Sequence, residues 1–141
     1  MTPIALASAI TLILAQATPA PAVEPAALPL DTETQAGGLD VACTGFGADA
    51  RAEPRWQTYG VRVEFSNARN EYLAGGTVEV RDAKGRSLLN VRCDAPWLLM
   101  RLPPGAYVVE GRVGPEAKPR SARVSPPAKG QMRVVLQFPE V

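Results

Sequence analysis

Histidine is absent from the 141 residues, and that absence removes most of the chemistry open to a chain of this size. Ser–His and Cys–His nucleophile pairs need an imidazole to take the proton, and most zinc sites hold their metal with imidazoles or clustered thiolates. Two thiols, Cys43 and Cys93, stand far apart in the chain and are too few to close a tetrahedral site. Asp82 and Asp94 lie beside turn residues, where a carboxylate ordinarily accepts from neighbouring backbone amides. Gly45-Phe46-Gly47 lacks the helix pattern and the lysine that a phosphate cradle requires. What remains is the stretch from Asp49 to Tyr59, DARAEPRWQTY, where Arg51 and Arg55 stand beside Trp56 and Tyr59. Guanidinium groups next to amphipathic rings suit stacking on a sugar or holding an anionic glycan or peptide. The competing expectation is that Trp56 caps an open end of the fold and the arginines are solvated. No catalytic, metal-binding or cofactor-binding residue is expected, and no cofactor.

The elements that must position that loop begin after a long front segment. Residues 4 to 15, IALASAITLILA, form an uncharged apolar run followed by Ala15-Gln16-Ala17, an A-x-A pattern. We read residues 1–17 as a signal peptide cleaved after Ala17. The lack of Lys or Arg before the run leaves an uncleaved anchor as the alternative, although the run is shorter than the roughly 20 residues a spanning helix needs. No cysteine follows the run to carry a lipid. Residues 18–38, rich in Pro, Ala and Thr, show no sustained period and are expected to form a disordered or extended linker.

From Leu39 onward the hydrophobic pattern has period two. Leu39, Val41 and Cys43 share one parity; so do Tyr59, Val61, Val63 and Phe65, then Val78 and Val80, then Leu89, Val91 and Cys93. Arg62, Glu64, Ser66, Glu79, Arg81, Asn90 and Arg92 occupy the other parity, so each strand turns one face to a core and one to water. Trp97–Leu102 and 106–113 flank Pro103-Pro104-Gly105, whose composition suits a type II turn and predicts a hairpin. Asp82-Ala83-Lys84-Gly85 predicts a second hairpin with a glycine bulge. A short strand near Ala122 and Val124 and a last one over QMRVVLQF, with Met132, Val134, Leu136 and Phe138 inward, complete the set. The expected fold is all-β, a seven- or eight-stranded antiparallel β-sandwich of Greek-key type without helices, over residues 39–141. Cys43 and Cys93 both fall on the inward parity, so an exported chain is expected to join them as a disulfide, the alternative being two separately buried thiols.

Formal net charge is +1, which singles out neither nucleic acid nor membrane. Glu24, Asp31, Glu33 and Asp40 precede residue 43 with no base among residues 18–42, so the rest of the chain is mildly basic, with its bases scattered over strands and turns.

The segment AGGTVEVRDAKGRSLLNV, the later LMRLPPGAYVVEGRV and the closing RVVLQF resemble the carboxypeptidase regulatory-like (transthyretin-like) domain. In that family a G-x-x-V-x-V-x-D-x-x-G strand pair precedes an L-P-P-G-x-Y-x-V element; Leu102–Val109 is the most specific match, and the resemblance covers roughly half of the chain. It implies a prealbumin-type sandwich and an accessory, non-catalytic role in exported bacterial proteins, and it brings no active-site residue. The related sandwich hydrolases of the urate pathway use histidines and a terminal Tyr-Arg-Gly-Ser, whereas this sequence ends Phe138-Pro139-Glu140-Val141. The expected function is therefore a structural or protein-interaction module of the periplasm or the secreted fraction, with an unidentified protein or envelope glycan as partner and no nucleic acid. The alternative is a carbohydrate-binding module using Trp56 and Tyr59. No stable membrane span is expected unless the N-terminal run stays uncleaved.

Overall fold

The computed structural model describes residues 3–4, 10–15 and 24–141. The alternating segments pair into two five-stranded sheets. The first runs, in spatial order, β1 (Ala26–Ala27), β6 (Ser87–Cys93), β5 (Gly76–Asp82), β8 (Tyr107–Arg112) and β9 (Arg120–Val124). The second runs β10 (Met132–Gln137), β4 (Val61–Ser66), β7 (Trp97–Met100), β3 (Leu39–Thr44) and β2 (Thr34–Ala36). The inward parity fills the space between them: Val61, Val63 and Phe65 of β4, Val78 and Val80 of β5, Leu89 and Val91 of β6, Val109 of β8, and Val134 and Leu136 of β10 are all buried. Packing there is close enough that a methyl group on Gly111 of β8 would lie 2.5 Å from Leu136 Cδ1 and force that side chain to shift. The result is a sandwich-like all-β fold.

A disulfide joins Cys43 of β3 to Cys93 of β6, and therefore one sheet to the other, with a Cα–Cα distance of 5.4 Å. The Asp82–Gly85 turn also forms as expected: Gly85 N–H donates to Asp82 O at 3.0 Å, the Asp82 carboxylate accepts from the amides of Lys84 and Arg86, and the register shifts between Val80 and Arg81.

Several expectations are corrected. Among the described residues the strands number ten, not seven or eight, because β1 and β2 are only two and three residues long, too short for any alternation to register. Both lie within residues 18–38, so from Glu24 onward the segment expected to be a linker adds an end strand to each sheet; residues 18–23 lie outside the described residues. The sheets are mixed and not purely antiparallel: β1 runs parallel to β6, and β10 parallel to β4. A helix is present, α1 (Ala48–Ala52), followed by a 3₁₀ turn over Pro54–Thr58; each spans five residues and gives no helical period to detect. Of the N-terminal apolar run, Ile4 and residues 10–15 carry no regular structure, while Gln16 and Ala17 of the expected cleavage site lie outside the described residues.

The largest correction concerns Trp97–Val113. The two strands do not pair with each other: β7 sits between β3 and β4 in the second sheet, and β8 between β5 and β9 in the first. Pro103-Pro104-Gly105 is a crossing between sheets. Leu102 and Tyr107 anchor its two ends in the core, and the Tyr107 hydroxyl donates to Pro103 O at 2.7 Å. That bond has the form of the tyrosine corner known from β-sandwiches. All four residues of β7 are buried, which is the mark of a central strand covered on both faces.

Candidate interaction face

The four residues singled out by their chemistry lie over the outer face of the second sheet. Gly47, with φ at 82°, starts the turn of chain into α1, and Pro54 opens the 3₁₀ turn that follows, a position where its missing N–H is not needed. The Thr58 hydroxyl donates back to Arg55 O at 2.7 Å. The turn is thereby laid across Ala42 of β3 and Leu99 of β7, two outward-facing apolar side chains, and with Trp56 and Tyr59 they make a second small core. Trp56 is 0% exposed. Tyr59, expected on the same face as Val61, instead packs on this outer side, because the chain has not yet entered β4 at that point.

The faces of both rings are taken up by this chain's own cations. The Arg55 guanidinium lies 4.1 Å from the Trp56 ring centre and is held by Glu53 at 2.6 Å and by Asp31 O at 3.0 Å. Arg101 lies 3.9 Å from the Tyr59 ring centre and donates to Thr58 Oγ1 at 2.6 Å. The Tyr59 hydroxyl donates to Glu33 at 3.3 Å; burial, and next the Glu33 charge, hold its pKa above the ordinary phenol value. The structure thus gathers Arg55, Trp56 and Tyr59, adds Arg101 and Glu33, and leaves no face of Trp56 open for a sugar. Arg51 goes elsewhere. It donates to Gly45 O at 2.8 Å and lies 5.1 Å from the ring centre of Tyr72.

Tyr72 belongs to a polar cluster that the residue types alone do not disclose. Glu64 occupies an outward position of β4 and is nonetheless 1% exposed. The parallel register sets Arg133 of β10 beside Arg62 of β4, and the two arginines converge on the one carboxylate. Arg62 Nε donates to Glu64 Oε2 at 3.1 Å, and Arg133 donates through Nε to Oε2 and through Nη2 to Oε1 at 3.2 Å, with Tyr72 lining the same hollow. Arg62 is stacked 4.2 Å from the Trp97 ring centre, and Tyr72 meets Trp97 edge-on. Burial pushes the Glu64 pKa up, but the hydrogen bonds from Arg133, the nearby Tyr72 hydroxyl and the charges of Arg62 and Arg133 outweigh it, so the net displacement is downward. A carboxylate held ionised by three guanidinium N–H donors has no proton to give near neutral pH and little capacity to take one. Its effect is to hold Arg133 in place.

Beyond Arg133 the second sheet ends. Met132 N–H donates to Gly60 O and Phe138 N–H to Ser66 O, so the even-numbered residues of β10 direct their main chain toward β4. By the two-residue period, Arg133, Val135 and Gln137 direct theirs outward from the sheet. No protein-family model matches the chain, and no curated protein matches it. Among the described residues no group of three or more His, Cys, Asp or Glu side chains is placed to hold a metal ion. The Glu64 cluster was missed because the aligned register of β4 and β10, separated by some seventy residues, leaves no local trace. One signal was available: Ala42, Trp97 and Leu99 are apolar residues at outward positions, which marks that face as covered.

Proposed function

We propose that the chain is a non-catalytic, exported β-sandwich module of the carboxypeptidase regulatory-like, prealbumin-type class, and that it works by holding a partner protein. The observation that carries the interaction role is β10, a six-residue strand at the end of its sheet with main-chain donors and acceptors turned outward. Two further features support the reading. The aromatic and charged side chains best suited to chemistry are engaged with one another, and the inter-sheet disulfide suits an oxidising compartment such as the periplasm or the extracellular medium. Among the described residues no helix is long and apolar enough to cross a membrane.

The test is expression of the full chain in a cell that exports it, with thiol alkylation at harvest and photo-cross-linking from side chains near β10. The proposal expects the chain in the exported fraction, its cysteines protected from alkylation, and cross-linked to protein. Alkylation of both cysteines, or a hydrolytic activity abolished by one substitution, would overturn it.

A further inference from the structure

Four strands end the two sheets, and three of them are guarded. β1 and β2 offer two and three residues. β9 follows Pro119 and carries Arg120 and Arg123, with Arg120 tied to Glu140 at 2.8 Å. Short length, proline and charge are the devices by which natural sheets keep other chains off their edges. β10 is the least guarded of the four: MRVVLQ contains a single charge, no proline and no glycine, and it pairs with β4 over six consecutive residues without a shift in register.

The side chains beside that open main chain specify what would pair with it. Arg133, Val135 and Gln137 stand in a row on the outer face; the Arg133 side chain is 59% exposed and Val135 is 40% exposed. Arg133 and Arg62 share the single carboxylate of Glu64, which leaves the row with unneutralised positive charge. A neighbouring strand places its side chains directly beside these three, and an acidic one beside Arg133 is favoured where a basic one is repelled. A second copy of this chain is the poorer occupant. Antiparallel self-pairing about Val135 sets Arg133 beside Gln137 of the other copy, and parallel self-pairing sets it beside the same arginine; neither neutralises the charge.

Resting on the interaction role proposed above, we infer that the outer edge of β10 accepts an extended peptide of a partner protein as a sixth strand of the second sheet, with an acidic side chain of that peptide beside Arg133. The peptide supplies main-chain hydrogen bonds to Arg133, Val135 and Gln137, an apolar side chain beside Val135, and a carboxylate at the guanidinium.

The experiment uses the purified full chain and three capped peptides of alternating valine and threonine that differ only in a central glutamate, glutamine or lysine, with amide hydrogen exchange read residue by residue. The glutamate peptide should slow exchange at Arg133, Val135 and Gln137 and bind about tenfold more tightly than the lysine peptide, with the difference shrinking in high salt. V135P removes an N–H that faces away from β4, so it should abolish binding while the tryptophan emission of the folded protein is kept. Equal binding of the glutamate and lysine peptides, no slowing at these three amides, or undiminished binding by folded V135P would overturn the inference. So would a free chain that sediments as a dimer with the β10 amides already protected, which would assign the edge to a second copy. A V135P chain that still cross-links to an exported protein would leave the interaction role standing and remove β10 from it.

Discussion

A carboxylate that accepts from two arginines while shut off from water makes the stability of the protein depend on acidity in a defined direction. Glu64 has a folded pKa below its ordinary 4.5, so the stability it contributes is complete above that value and is lost as pH falls through the folded pKa. Glu64→Gln should cost about 2 kcal/mol at neutral pH, because two guanidinium groups lose their shared anion, and the gap from the natural protein should narrow on acidification. Urea denaturation at a series of pH values measures both quantities. Asp82, whose pKa is lowered chiefly by the Arg86 amide, changes stability with the same sign, but it is present in both proteins and drops out of the difference. At this scale the sequence was an uneven guide. The inward parity of Cys43 and Cys93 was visible, and they meet; the prospect that Trp56 and Tyr59 pack against the fold was visible too, but not the outer sheet face they cover, since that depends on a five-residue 3₁₀ turn settling over Ala42 and Leu99.

Among the elements, the crossing between β7 and β8 shows how a local signal can be sound and still be misassigned. Leu-Pro-Pro-Gly between two apolar runs fits a hairpin turn by composition, yet prolines give no ladder donors, and both flanking strands already have two neighbours each. The clue lay in Trp97–Met100, which has no polar parity and therefore could not be the half-solvated arm of a hairpin. The crossing is held by the bond from the Tyr107 hydroxyl to Pro103 O. Tyr107→Phe should lower stability by about 1 kcal/mol without changing the fold, measured as a lower denaturation midpoint with an unchanged circular dichroism spectrum. By contrast, β3 to β6 and β8 to β10 stand where alternation placed them, because period two over five or more residues is a strong signal.

For the whole molecule, the disulfide is the covalent link between the sheets, and it spans 50 positions of sequence. Replacing Cys43 and Cys93 together by alanine should destabilise the protein by about 4 kcal/mol on the loop-entropy account, measured by denaturation of the variant against the oxidised protein. The two-layer architecture was legible because nearly every inward position is apolar. The mixed pairing was not, since the direction of β10 against β4 and of β1 against β6 is decided by contacts between distant parts of the chain. β10 is an end strand because β4 is its one neighbour in the sheet, and the parallel register is what brings Arg133 to Glu64. The open side of β10 is the centre of the functional account, and amide hydrogen exchange of the free full chain measures it directly. Slow exchange at Met132, Val134 and Leu136, alternating with fast exchange at Arg133, Val135 and Gln137, is the predicted pattern. Uniform protection along all six residues would show the edge already covered and would contradict it.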